Sequence, residues 1–181
     1  LRWESNASSA TFDNALQTRS RFGVYVIQKH RFSDSFGLAF GFRGDRYGEK
    51  GTADLRATLS WAVDRQSNWR LALGSFHQAA ETEFLDPNAG NPDLKVQRAL
   101  HVVLSFEKIQ EWEEALLTFR AETYQKSYAD LPVKDPAKHY VSDGYGSASG
   151  LDLFLKASRR GWRSTLSYSL LSTKRKEGVQ R

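Results

Sequence analysis

The sequence predicts an all-β fold: an antiparallel up-and-down meander of about eight long strands, forming part of a transmembrane β-barrel. Three observations carry this expectation. Apolar and polar residues alternate with period two along most of the chain. The joints between alternating segments are short and long in turn. Four tryptophans gather beside the short joints.

The alternation is read segment by segment. "SFGLAFGFRGDRY" sets Phe36, Leu38, Phe40 and Phe42 against Gly37, Ala39, Gly41 and Arg43. "ADLRATLSWAV" sets Leu55, Ala57, Leu59, Trp61 and Val63 against Asp54, Arg56, Thr58 and Ser60. "RALHVVLSFEK" sets Leu100, Val102, Leu104 and Phe106 against His101, Val103, Ser105 and Glu107. "EALLTFRAETYQKSY", "GLDLFLKAS" and "WRSTLSYSLL" continue the pattern, and "RFGVYVIQKHRF" and "WRLALGSFHQ" complete it. The predicted strands lie at roughly 20–32, 35–47, 53–64, 68–80, 95–109, 113–128, 147–158 and 162–174. A short helix over Gln110–Leu117 is an alternative that the alternation after Ala115 opposes.

In a meander, successive joints fall at opposite ends. The joints at Ser33-Asp34, "DRQSN", "QEWE" and "RRG" are short and share one end. Those at about 48–52, 81–94 and 129–146 are longer and share the other. Outer-membrane barrels have this asymmetry. Trp61, Trp69, Trp112 and Trp162 sit at the short-joint end, as an interfacial girdle requires: an indole is apolar in body and donates one hydrogen bond. Tyr47, Phe84, Tyr124 and Tyr128 are candidates for the opposite girdle. The polar face mixes small residues (Gly37, Ala39, Gly41, Ser60, Ala72, Gly74, Ser167) with Arg and Glu, which suits a crowded wet lumen. Periodicity alone also fits a soluble β-barrel or β-sandwich binding domain with an apolar interior.

Composition narrows the chemistry. The chain has no Cys, which excludes disulfides and thiolate metal sites. It has no Met either, and reads as part of a longer chain. The net charge of +5 comes from scattered Lys and Arg, not from the basic stripe that nucleic acid needs. His30, His77, His101 and His139 are too dispersed for zinc-ligand spacing, so no metal site and no cofactor is expected. There is no Gly-x-Ser-x-Gly and no phosphate-loop spacing, so no enzyme is expected.

Two stretches resemble TonB-dependent outer-membrane receptors. Gly74, Phe76 and Gln78, then Gly90, Asn91, Pro92, Leu94 and Lys95, are similar to that family's strand–loop–strand step. Tyr124, Lys126, Tyr128, Asp130, Leu131 and Pro132 match a later strand-to-loop step. Asp143, Gly144, Gly146, Ala148, Gly150, Leu151 and Asp152 match the return, and Leu166, Tyr168 and Ser169 the strand after it. The resemblance covers about 45–175. It implies a bacterial outer-membrane location, with residues 1–181 a partial barrel segment that lacks the plug domain and the remaining strands. The implied function is energised uptake of a scarce ligand: a siderophore, a cobalamin, a peptide or a sugar. The implied partners are the lipid bilayer, the transported ligand, and the plug and TonB-type energising complex reached through the parent chain.

On this reading the lumen or ligand candidates are Arg70, Gln78, Arg98, His101, Arg120, Glu122, Tyr124 and Lys126. The plainer reading makes most of them cross-strand charge pairs of small individual value. Outer-loop candidates are Asp86, Asn88, Asn91, Tyr140, Asp143 and Tyr145. Asp86, Asn88 and Asn91 also serve simply to shape turns, since "DPNAGNP" is built of turn-forming residues.

Overall fold

The structure, a computed structural model, describes residues 2–14 and 17–177, with side chains from residue 21 onward. Nine strands follow one another in a single antiparallel sheet whose spatial order is the chain order. They are β1 (Arg2–Asn14), β2 (Gln17–Arg31), β3 (Phe36–Tyr47), β4 (Lys50–Ala62), β5 (Ser67–Gln78), β6 (Gln97–Trp112), β7 (Ala115–Asp135), β8 (His139–Arg159) and β9 (Trp162–Lys176). The eight expected strands are all present. β1 is additional: "RWESNASSATFDN" is too polar to show a clear alternation, yet pairs with β2 along its whole length. The Gln110–Leu117 segment is not helical, because β6 runs to Trp112 and β7 begins at Ala115.

The register fixes two faces. On one, Leu38, Leu59, Leu71 and Leu104 stand side by side across β3–β6, and Leu151 pairs with Leu170 across β8–β9. Neighbouring rows add Phe40, Leu73, Val102, Phe119, Leu155 and Leu166, all more than a third exposed. Among the described residues nothing packs on this face. Buried hydrophobic residues are few (Ala80, Leu85, Leu94, Val133 and Ala148 among the described residues) and none forms an interior beneath it. A soluble monomer rarely exposes an apolar patch above about 300–600 Å². The other face is polar and concave: residues from β2 (Arg21) to β9 (Thr173, Arg175) line one cavity of about 1420 Å³. This is the inverse of a soluble barrel with an apolar interior.

The four short joints do share one end. Two of them are closed by local polar groups. Asp64 Oδ1 accepts the Gln66 and Ser67 backbone N–H groups, both at 2.7 Å. Ser33 Oγ does the same for Ser35 and Phe36. The Gln66 N–H, with further help from Ser67, holds the Asp64 carboxyl below its usual range. A lowered folded pKa means the carboxylate's contribution is complete above the unfolded aspartate range and is lost as pH falls through the folded value. Amide protection of Gln66 and Ser67, corrected for intrinsic exchange, should therefore fall on acidification in the native chain. It should stay level in Asp64→Asn, whose amide oxygen does not titrate in that range. Parallel profiles in the two proteins would show that the carboxylate does not hold this turn.

The opposite end differs from expectation in two places. Residues 48–52 are not a long loop: Tyr47 pairs with Lys50 around a two-residue turn in which Gly48 has φ 61°. Nor are residues 129–146 irregular. β7 and β8 continue as a hairpin to Asp135 and His139, past register shifts between Tyr128 and Val133. The glycines and polar residues there look like a loop because this hairpin stands beyond the neighbouring strand, where neither face needs an apolar stripe. At about 3.3 Å per residue a 21-residue strand is roughly 70 Å long, twice what a tilted crossing uses. The joint from 79 to 96 is the true long loop, and it contains one short 3₁₀ turn, Thr82–Leu85.

Candidate ligand-facing site

The long loop does not hang free. It folds over the polar face and docks between the two neighbouring hairpins. Lys50 Nζ donates to the Pro92 carbonyl (3.0 Å) and the Leu94 carbonyl (2.5 Å). On the other side Asn91 Nδ2 donates to the Tyr140 carbonyl (2.8 Å), and the Lys95 N–H donates to Ser142 Oγ (2.9 Å). Ala80, Leu85 and Leu94 form a small buried cluster, with Phe84 packed edge-on against Tyr140 at 4.9 Å. Within the loop, the Gly90 N–H donates to the Asp86 carbonyl and the Asn91 N–H to the Phe84 carbonyl, each at 2.7 Å.

This geometry assigns the loop candidates. Asn91 anchors the loop, and Asp86 Oδ1 accepts the Asn88 N–H at 2.8 Å. Both are shaping residues here; the Asn88 side chain stands exposed. Tyr140, Asp143 and Tyr145 lie on β8 rather than in a loop. Tyr140 is on the polar side under the docked loop. Asp143 and Tyr145 alternate onto the opposite side, where Tyr145 is half exposed.

Seven of the eight lumen candidates share the polar face by register. Arg70 pairs with Ser105 and Ser105 with Glu122; Gln78 pairs with Gln97; His101 pairs with Lys126; Glu107 pairs with Arg120; Val103 pairs with Tyr124. Arg98 is the exception. It alternates onto the face of Leu100 and Val102, at the rim of the cavity. Arg120 forms an ion pair with Glu107, as the plainer reading expects. Tyr124 lies over Gly150, where a Cβ would also come within 2.7 Å of the Leu170 carbonyl. Tyr47, Tyr124 and Tyr128 face the polar side and Phe84 packs in the loop, so these four form no outward girdle. Trp61, Trp69, Trp112 and Trp162 all stand on the apolar face at the short-turn end. Trp61 pairs with Trp69 and stacks on Phe36; Trp69 packs on Phe106 at 4.8 Å.

Several residues of this site were not singled out from sequence. Asp45 is buried and held by Arg43 Nε (2.5 Å) and Arg21 (3.3 Å). Asp54, also buried, accepts the His77 N–H at 3.1 Å and lies 2.8 Å from His77 Nδ1. It does so where the β4–β5 ladder has ended, at Arg56 opposite Gly74, so a side chain replaces backbone pairing. The signal for Asp45 was present: Arg-x-Asp in a strand puts both charges on one face. The Asp54–His77 contact depends on the ladder's end, which no local pattern marks. Among the described residues no group of acidic or histidine side chains is arranged to hold a metal.

The same fold occurs in solved receptors. The chain is similar to the ferric-catecholate import receptor Fiu from Escherichia coli K12 (TM-score 0.72, 14% identity, 97% of this chain and 29% of that one). It is similar to the siderophore receptor PirA from Pseudomonas aeruginosa (0.71, 13%, 93% and 36%) and to the FrpB iron transporter from Neisseria meningitidis (0.68, 14%, 87% and 26%). No family profile and no curated protein sequence matches it. At these identities the likeness defines the architecture. The chain folds as a contiguous segment of a β-barrel wall, of the kind that TonB-dependent receptors have. It spans about a third of the length of those receptors.

Proposed function

We propose that this chain is part of the barrel of a TonB-dependent outer-membrane receptor that imports a scarce ligand in bacteria. The observation that carries the reading is the sheet's two-sidedness: an uncovered apolar face with tryptophans along one edge, and a concave polar face roofed by a docked loop. Lipid satisfies the first face and a wet lumen the second. Of the ligand classes weighed above, a siderophore is favoured by the names of the structural neighbours. The outer loop and tall hairpin would meet the ligand. A plug and an energising complex, reached through other parts of the parent chain, would drive its passage. No catalytic role is assigned.

The test is the complete reading frame that contains this segment, expressed in a Gram-negative host. The expected product carries a plug and further alternating strands, fractionates with the outer membrane, and shifts in gel mobility on heating as folded barrels do. A frame confined to these strands, with a soluble monomeric product, would overturn the proposal.

A further inference from the structure

The sheet has a seam at its long-loop end. β3 and β4 pair up to their turn, with Tyr47 opposite Lys50, and β5 and β6 pair up to Gln78 opposite Gln97. Between β4 and β5 the ladder stops lower, at Arg56 opposite Gly74. Beyond that row β4 runs from Leu55 back to Lys50 and β5 from Ser75 on to Gln78, with no ladder pair between them among the described residues. Side chains fill the fork. The Phe76 ring folds back over Gly74, where a Cβ would meet it at 2.9 Å, and the Arg56 guanidinium lies 4.4 Å from the ring centre. Backbone groups that face such a gap need other partners. Ser75 Oγ accepts the Leu55 N–H at 2.9 Å, and Asp54 Oδ2 accepts the His77 N–H at 3.1 Å. Asp54 Oδ1 adds the contact with His77 Nδ1 at 2.8 Å.

The β3–β4 hairpin that borders this seam also grips both feet of the long loop. The first foot is His77, at the end of β5. Besides its contacts with Asp54, its carbonyl accepts the Tyr47 hydroxyl at 3.4 Å. The second foot is the Pro92–Leu94 stretch, whose two carbonyls accept from Lys50 Nζ. Tyr47 and Lys50 flank the hairpin's two-residue turn, so one rigid tip touches both feet. Every one of these bonds uses a side chain, and none is part of a ladder. Local opening is drawn from such places, where few bonds must break together. Tyr47, Lys50, His77, Pro92 and Leu94 all line the large cavity. We infer that the tip of the β3–β4 hairpin is a clasp. The β4–β5 seam and residues 79–96 open and close as one unit, fastened by Asp54 at one foot and Lys50 at the other, and so control access to the cavity. The inference stands on where the ladder ends and goes beyond the receptor reading.

The experiment is amide hydrogen exchange on the complete receptor in detergent, corrected for intrinsic rates. The Leu55 and His77 N–H groups face the seam. Those of Leu59 and Leu71, an even number of residues away, face the intact ladder between the same strands and serve as reference. In the native protein Leu55 and His77 should exchange together and faster than Leu59 and Leu71. Lys50→Met removes a contact at the second foot only, yet should speed Leu55 and His77 about 10-fold or more. Asp54→Ala removes contacts at the first foot only, yet should speed Asn91 and Leu94, whose N–H groups bond within the loop, by a similar factor. Leu59 and Leu71 should not change in either variant. Effects confined to each variant's own foot would overturn the inference, because Asp54 and Lys50 would then be separate local bonds. So would native Leu55 and His77 amides as slow as the reference pair. If Asp54→Ala does not fold, Ser75→Ala takes its place: faster exchange at Asn91 and Leu94 is expected, and a change at Leu55 alone would overturn the clasp. Heat-modifiable mobility, measured in parallel, reports the receptor reading separately; a soluble product with the same coupled exchange would remove that reading and keep the clasp.

Discussion

Leu73→Arg in the complete receptor should sharply reduce the folded, membrane-inserted population. Leu73 stands on the apolar face, 46% exposed, in a row with Phe40, Ala57 and Val102. It lies four residues from Trp69 along β5, about 13 Å of strand, which places it near the middle of an apolar band about 25 Å tall. An arginine there has no partner on its own face: the residues beside it are alkyl or aromatic. The expected cost is about 2–4 kcal/mol, falling toward zero near the girdle. Thr58→Arg, at neighbouring depth but on the polar face between Ala39 and Ala72, should insert normally. The measurement is the folded fraction in lipid vesicles across a urea series. Equal insertion of the two variants would mean that the faces are assigned the wrong way round.

That contrast rests on what was legible from sequence. Phe36, Leu38, Phe40 and Phe42 announce one side of β3 without ambiguity, because period-two alternation is a local property and each strand carries its own copy. Two of the four short joints were legible for the same reason: Asp64 and Ser33 close their turns with bonds two and three residues away. What failed was anything set by neighbouring strands. The polar sequence of β1 is a strand because β2 offers it a ladder, and 129–146 is hairpin because two equally polar segments pair with each other above the rest of the sheet. Arg98 was assigned by its charge, whereas its position in the alternation puts it on the other face. Of the loop candidates, Asn91 was found for its turn chemistry, but its bond to Tyr140 spans 49 residues and has no sequence signature.

Gly90→Ala should release the long loop while leaving the barrel folded. Gly90 is not needed here for a left-handed φ, since the positive-φ glycines among the described residues are Gly48 and Gly161. The constraint is proximity. A Cβ at Gly90 would lie 2.5 Å from the Phe84 oxygen, 2.6 Å from the Phe84 carbonyl carbon and 2.9 Å from the Asp86 nitrogen. All three are backbone atoms, so no rotamer change relieves the clash. The chain must move, and with it go the Gly90–Asp86 and Asn91–Phe84 hydrogen bonds that set the turn. Asn91 then loses Tyr140, and Leu85 and Leu94, now 5% and 3% exposed, lose their cover. Full burial of a leucine is worth about 1.5–3 kcal/mol, so uncovering both removes a contribution of the same order as the two Lys50 contacts that remain, at about 1.5–3 kcal/mol each. Limited proteolysis of the complete receptor should cut the variant within residues 79–96 at protease levels the native protein resists, with heat-modifiable mobility unchanged. Asn88→Ala, at an exposed side chain of the same loop, should resist as the native protein does. If Gly90→Ala resists equally, the loop tolerates the added methyl and its docking does not depend on this turn.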